Sequence, residues 1–248
     1  SAEPGYPRLD ADSVGASSSS TGIRPRLSGL AGPPRAGRCG AEPRPPNWAP
    51  PTLIPSERGI RGALGGTELY AHGRHAEVRA RLEAFVAREG PLAVEIGFDH
   101  GMRLLDHARR WPEIRWLGLE IRQRRVDAAA PHAPDNALLL RADARTIFAA
   151  LLPDASVRFV YVLFPTPADN PRHLLFSAPF VEALRRVMEP GGALYFASDV
   201  AGLHDHAATL LADWPEVALP PLGPVLSRRE RVCARDGLPV YRLCRGRP

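Results

Sequence analysis

Residues 91–120, PLAVEIGFDHGMRLLDHARRWPEIRWLGLE, constrain the fold more than any other stretch of this chain. An apolar run over 92–96 carries one carboxylate, Glu95, and is cut off by the glycine turn Gly97-Phe98-Asp99-His100-Gly101. Leu104, Leu105, Ala108 and Trp111 then share one helical face, and a second apolar run over 114–119 ends in Glu120. Strand, glycine turn, helix, strand and acid in that order predict a βαβ unit with a parallel strand pair. An acid about 20 residues past such a turn can accept hydrogen bonds from ribose hydroxyls. The glycines alone suit an ordinary βαβ unit equally well. Glu95 and Glu120 together, each at a strand end, favour a nucleotide-type ligand.

The rest of the chain continues the alternation. Residues 74–88 have a helical period, with Val78, Leu82 and Phe85 on one face. After the βαβ unit the pattern predicts a helix over 121–130, a strand over 137–140, a helix over 145–152 and a strand over 157–164. A proline-rich loop over 165–173 follows, then a helix over 179–188 stopped by Pro190-Gly191-Gly192, a strand over 193–197 and a helix over 202–214. The tail reads as two strands, 225–233 and 238–244, around the turn Asp236-Gly237, which is a hairpin signal. Alternating strands and helices predict an α/β fold: a mostly parallel sheet, helices on both faces, and the antiparallel hairpin at the C-terminal edge. Ligands in such sheets lie beyond the carboxyl ends of the strands. Those ends carry Gly97, Glu120, Asp143, Phe164-Pro165 and Ser198-Asp199. One acid after a strand is ordinarily a helix cap, and Asp143 before Ala144-Arg145 suits that role. Several in a row point to a site.

Residues 1–60 differ from the remainder. Runs such as Gly15-Ala16-Ser17-Ser18-Ser19-Ser20 and Arg44-Pro45-Pro46 have no sustained period and too little apolar surface to offset chain entropy, so a disordered segment is expected there and a folded domain over 61–248. With 44% hydrophobic residues the 248-residue chain can build a substantial core. No apolar run reaches the roughly 18 residues of a membrane span, and no basic stretch followed by an apolar core marks a secretory signal. Cys39, Cys233 and Cys244 lack metal-ligand spacing and form no even set; a reducing cytoplasm, no disulfide framework and no metal site are expected. All 32 Lys-plus-Arg positions are Arg and the net charge is +5, which is compatible with a nucleic-acid partner through bidentate phosphate contacts.

Several motifs, in this order, carry a family resemblance: VEIGFDHG at 94–101, WLGLEIR at 116–122, RADA at 141–144, VYVLFPTP at 160–167, Arg172-His173, EPGGALYFASD at 189–199 and Ser227-Arg228-Arg229-Glu230. In their order and spacing they resemble the bacterial tRNA (guanine-N7-)-methyltransferase family, which uses S-adenosylmethionine. The glycine turn recurs across methyltransferases; the Phe-Pro-x-Pro loop followed by Arg-His is narrower. The resemblance implies a Rossmann-like, seven-stranded methyltransferase sheet, S-adenosylmethionine as cofactor and tRNA as partner; the sequence does not give the oligomeric state, and a monomer is the expectation. It also implies residue roles. Glu95, Gly97, Gly101 and Glu120 would meet the cofactor, Glu120 through the ribose, and Asp143 would lie beside the adenine. Thr166 and Asp199 would stand at the reacting centre. Asn170, Arg172, Asp199, Ser227, Arg228 and Glu230 would face the substrate guanosine and its RNA.

This chain departs from the family pattern at three places. Asp99 stands where the family has Gly, adding bulk and charge at a position that Asp can still occupy in the left-handed conformation. The family loop reads Phe-Pro-Asp-Pro-Trp, so its catalytic Asp is Thr166 here, and its substrate-binding Lys is Asn170. The basic run after Arg-His is shortened to Leu174-Leu175-Phe176-Ser177. Guanine N7 is an unprotonated acceptor, so methylation there needs alignment rather than a base. Losing the Asp therefore predicts slower turnover, with Asp169 or Asp199 in its place. The departures leave open a related methyltransferase with another RNA or small-molecule substrate, or a non-catalytic RNA-binding relative.

Overall fold

The computed structural model describes residues 74–166, 174–218, 223 and 225–248. Residues 1–60, expected to be disordered, lie outside that set, as do 167–173 of the proline-rich loop. The elements run α1 (Arg74–Val86), β1 (Leu92–Ile96), α2 (Met102–Arg110), β2 (Arg115–Glu120), α3 (Gln123–Ala129), β3 (Ala137–Arg141), α4 (Ala144–Ala150) and β4 (Val157–Leu163). They continue with α5 (Ala178–Val187), β5 (Met188–Ser198), α6 (Ala201–Leu210), α7 (Arg228–Asp236) and β6 (Tyr241–Gly246).

The six strands lie in the order β3-β2-β1-β4-β5-β6, with β6 alone antiparallel. Parallel strands covered on both faces need apolar side chains on both, and β2 is buried throughout its length. Alternation divides the core. Val94, Leu117, Leu119, Val160, Val162 and Phe196 face one layer with Phe148, Phe180 and Leu184. Trp116, Tyr161 and Tyr195 face the other with Phe98, Leu104 and Trp111. Trp111, Trp116, Phe85 and Phe180 are thus core residues, 7%, 0%, 7% and 2% exposed. Gly118 admits this packing: a Cβ there would meet Leu139, Leu104 and Phe98 side chains at 2.6, 2.8 and 2.8 Å.

From β1 the chain winds outward through β2 and β3, then returns to place β4 on the opposite side of β1. The switch point between β1 and β4 opens a crevice at their carboxyl ends.

The expected C-terminal hairpin is corrected. Its second strand is present as β6, but residues 228–236 form helix α7. The Ser227 hydroxyl accepts from Glu230 N–H at 3.2 Å, an N-cap with Glu at the third helical position. Gly237, at φ 64, is the left-handed helix stop, and Leu238 N–H reaches Cys233 C=O at 2.9 Å. Asp236-Gly237 therefore ends a helix instead of turning a hairpin. Among the described residues the sheet has six strands, not seven.

Candidate active site

The turn after β1 is held against β2 by its backbone. Gly97 N–H donates to Leu119 C=O at 2.7 Å and Gly101 N–H to Phe98 C=O at 2.8 Å. Gly97, Asp99 and Gly101 all have positive φ, of 75°, 54° and 73°. Asp99 thus keeps the left-handed backbone that glycine would adopt freely. A Cβ on Gly97 would meet nothing within 4 Å, so the turn presents open space on that side. Beyond it lies a cavity of about 480 Å³. Glu95, Gly97 and Asp99 border it from β1 and its turn, Arg103 from α2, Arg122 and Arg125 from the β2–α3 connection and α3. Leu163 to Thr166 close the β4 side, Asp199 the β5 side, and Ser227, Arg228 and Arg229 the α7 side.

Charges are paired around this space. Glu95 is 2% exposed and accepts from Arg103 Nη1 at 3.0 Å. Burial pushes the Glu95 carboxyl above its ordinary range, and the Arg103 charge and hydrogen bond pull it partly back. The Arg103 guanidinium also lies 4.6 Å over the Tyr161 ring. At the turn the Asp99 carboxylate pairs with Arg125 Nη1 at 3.0 Å and more loosely with Arg122 at 3.8 Å. Asp199 is ion-paired to Arg229.

Glu95, Gly97, Thr166, Asp199, Ser227 and Arg228 are therefore brought together around one cavity. Gly101, Glu120, Asp143 and Glu230 are not part of its wall. Glu120, 2% exposed, is enclosed by four donors: Asp99 N–H at 3.2 Å, and Arg122 through its N–H at 3.0 Å, Nε at 3.1 Å and Nη2 at 3.4 Å. Asp143 caps α4 by accepting Arg145 N–H at 2.9 Å, and pairs with the Arg145 side chain. Glu230 accepts from Arg242 Nη2 at 2.8 Å, and Arg242 Nε donates to Tyr195 Oη at 3.2 Å, which ties α7 to the sheet. Asn170 and Arg172 lie outside the described residues.

Arg103 and Arg125 escaped the reading of the sequence. A signal existed for Arg103: with His107 and Trp111 it forms a stripe spaced by four along α2, and the His107 and Trp111 rings meet edge-on at 4.9 Å. Among the described residues no cluster of His, Cys, Asp or Glu could hold a metal ion, and no helix is long and apolar enough to cross a membrane.

A parallel sheet with a switch-point cavity, a glycine turn after β1 and acids at successive strand ends defines the nucleotide-binding class of α/β proteins. Within that class, residues 89–221 match the model of the family described as "Putative methyltransferase", and the chain belongs to that family. The fold is similar to that of the 16S rRNA methyltransferase KamB, with a TM-score of 0.52 at 19% identity over 67% of this chain and 92% of that one. Among curated proteins it is similar to the tRNA (guanine-N(7)-)-methyltransferase of Sodalis glossinidius, 31% identical over 139 residues, 53% of this chain and 58% of that one. The protein of the same name from Chromohalobacter salexigens is 29% identical over 165 residues, 62% of this chain and 67% of that one. The match thus spans between about half and two thirds of the length of these relatives.

Proposed function

We propose that this protein transfers a methyl group from S-adenosylmethionine to N7 of a guanosine in tRNA, in the cytoplasm, with residues 61–248 as the catalytic unit. One observation carries the reading: a single cavity is bordered by the glycine turn after β1, by Phe164 to Thr166 after β4, and by Asp199 after β5. A donor held over the turn would point toward the same space that a base entering past Thr166 and Asp199 would occupy. The relatives bearing the tRNA (guanine-N(7)-)-methyltransferase name support the choice of substrate.

The residues present suit such a donor. Gly97 leaves room for close approach, Asp99 keeps the turn's left-handed backbone, and Glu95 offers a buried acceptor in the wall. Gly101 starts α2 and fixes the end of the turn. We assign the ribose and adenine to the side of Glu120 and Asp143, at the ends of β2 and β3, with Arg122 displaced; its side chain is 57% exposed. Bound there, S-adenosylmethionine supplies an electrophilic methyl group on a sulfonium.

The protein's own task is placement. The N7 lone pair needs no deprotonation, so no residue has to act as a base. Thr166 and Asp199 orient the guanine edge, and alignment of this kind can supply several kcal/mol of barrier reduction. Ser227, Arg228 and Glu230 hold the α7 wall of the substrate site, and Arg228, exposed at the start of α7, offers a phosphate contact. Asn170 and Arg172 belong to the loop that continues from Thr166 and are assigned to the RNA. A second reading, a methyltransferase for another RNA or a small molecule, is favoured by Thr166, a neutral side chain at the cavity edge where the resembled family has an Asp.

Mass spectrometry of nucleosides separates the readings. The full chain is incubated with unmodified tRNA and S-adenosylmethionine carrying a deuterated methyl group. The proposal expects labelled 7-methylguanosine. Label on a different nucleoside supports the second reading, and no label in RNA refutes the tRNA assignment.

A further inference from the structure

His107, in the second half of α2, is 0% exposed and does not border the cavity. Its ring meets those of Trp111, Trp116 and Tyr161 edge-on, with centroids 4.9, 5.2 and 6.3 Å away. A phenyl ring would fill such a place with no polar atom to satisfy. The imidazole instead uses one nitrogen and leaves the other unpaired. Nε2 accepts from Gly223 N–H at 3.2 Å. A neutral ring that accepts at Nε2 carries its proton on Nδ1. That nitrogen is buried with no hydrogen-bond partner among the described residues. An unpaired buried donor is costly, so packing alone does not account for a histidine here.

What the imidazole holds is the approach to α7. Gly223 stands four residues before Ser227, the N-cap of that helix. It is seated closely on α2: a Cβ there would lie 2.9 Å from His107 Nε2, 3.1 Å from its Cδ2 and 3.4 Å from Asp106 Oδ2. A second contact joins α2 to α7 itself, with Arg231 Nη2 lying 3.9 Å from Met102 Sδ. The N-cap of α2 is the last glycine of the turn, and the start of α7 brings Ser227, Arg228 and Arg229 to the cavity wall. The turn side and the α7 side of the cavity are thus fastened to each other through α2.

We propose that His107 is a positioning residue for the methyl acceptor: by accepting the Gly223 N–H it fastens the approach to α7 onto α2, and so fixes the wall formed by Ser227 and Arg228 relative to the glycine turn. This rests on the reading of that wall as the substrate side and adds to it a residue outside the cavity. The bond is a weak source of stability, because the gain from one neutral hydrogen bond is offset by the unpaired Nδ1 proton. Its effect is on geometry. Transfer depends on the alignment of lone pair and methyl group, and a displacement of about 1 Å that originates far from the chemistry is enough to slow it.

The test compares His107→Leu, Gly223→Ala, the double variant and His107→Gln in the full chain, by steady-state methylation of tRNA and by calorimetric titration with S-adenosylhomocysteine. Leu removes the acceptor and keeps an apolar side chain. Ala pushes the approach to α7 off the ring while leaving the α2 side chains intact. Gln returns an acceptor near the place of Nε2. Loss of the one bond should raise KM for tRNA roughly 3–10-fold in each of the first two variants, with affinity for S-adenosylhomocysteine within about twofold of wild type. The double variant should be no worse than the worse single one, because both changes remove the same contact. His107→Gln should recover most of the wild-type KM. An unchanged KM overturns the proposal, as do additive losses in the double variant or a parallel fall in donor affinity, the sign of a strut for α2 alone. If His107→Leu does not fold, Gly223→Ala decides by the same split between KM and donor affinity. A wild type that binds S-adenosylhomocysteine but methylates no tRNA refutes the tRNA reading instead. Hydrogen exchange over 225–236 then decides the fastening: faster exchange in Gly223→Ala supports it, and exchange equal to wild type overturns it.

Discussion

Replacing Gly118 by Ala probes how the sheet holds the candidate site. Gly118 lies in the middle of β2 beside Glu95 of β1, and an added Cβ meets Leu139 Cδ2 at 2.6 Å, Leu104 Cδ1 at 2.8 Å and Phe98 Cδ1 at 2.8 Å. Leu139 and Leu104 are 5% and 0% exposed within the core, while Phe98, 4% exposed, borders the cavity. Overpacking of this kind costs about 1–3 kcal/mol. The reduced chain entropy of Ala in the unfolded state returns roughly 0.5–1 kcal/mol. Between these ranges the central net loss is about 1 kcal/mol, a fall in Tm of roughly 2–4 °C for a domain of this size. Because Phe98 belongs to the turn bordering the cavity, affinity for S-adenosylhomocysteine should also weaken at temperatures where the variant is fully folded. Gly202→Ala is the matched control: it lies in α6, with nothing within 4 Å of the added Cβ, and should gain about 0.5–1 kcal/mol from helix propensity. Differential scanning calorimetry and ligand titration read both. A Gly118→Ala variant as stable as wild type, or stabilised like the control, would refute this packing.

Further expectations concern the helix, the substrate edge and pH. Ser227→Ala removes the N-cap of α7 and should cost about 1 kcal/mol in denaturant unfolding; no change would speak for the strand that the sequence pattern suggested. Asp199→Ala should lower turnover roughly 10–100-fold, the loss of one charge-assisted hydrogen bond, while Thr166→Ala should change it only a few-fold; equal effects in steady-state kinetics contradict the assignment. Burial, reinforced by the charges of Arg103 and Arg110, pushes His107 down to about 3. Its Nε2 accepts from Gly223 N–H at 3.2 Å, which requires the unprotonated form. The unfolded chain therefore takes up a proton below about pH 6.5 that the folded chain refuses, so this residue's contribution is complete above that pH and is lost as the pH falls toward 3. His107→Gln should flatten the pH dependence of unfolding free energy by up to about 1.4 kcal/mol per pH unit in that window; an unchanged slope would refute a neutral buried imidazole.

What could be read from the sequence is the part governed by local pattern. The runs at 92–96 and 157–163 are strands because both of their faces are covered, and the turn at 97–101 carries its own glycine requirement. The tail misled because Val225, Val232 and Asp236-Gly237 carry β-type signals, while the capping of Ser227 and Glu230 and the charged run after it favour a helix; a left-handed glycine serves either structure. In the site, strand ends located the acids but not their partners. Whether Glu120 meets the cavity depends on Arg122 and on the backbone of Asp99, 21 residues away. Arg103, in a helix with an obvious apolar face, looks like a solvated residue until Glu95 and Tyr161, from two different strands, enclose it.

The account rests on the cavity at the β1–β4 switch point being the donor site. The most direct measurement is a crystal structure of the full chain with S-adenosylhomocysteine. The ligand is expected over Gly97, with its sulfur directed toward Thr166 and Asp199. A ligand bound elsewhere on the sheet, or a cavity filled by the protein's own side chains with no ligand in it, would contradict it.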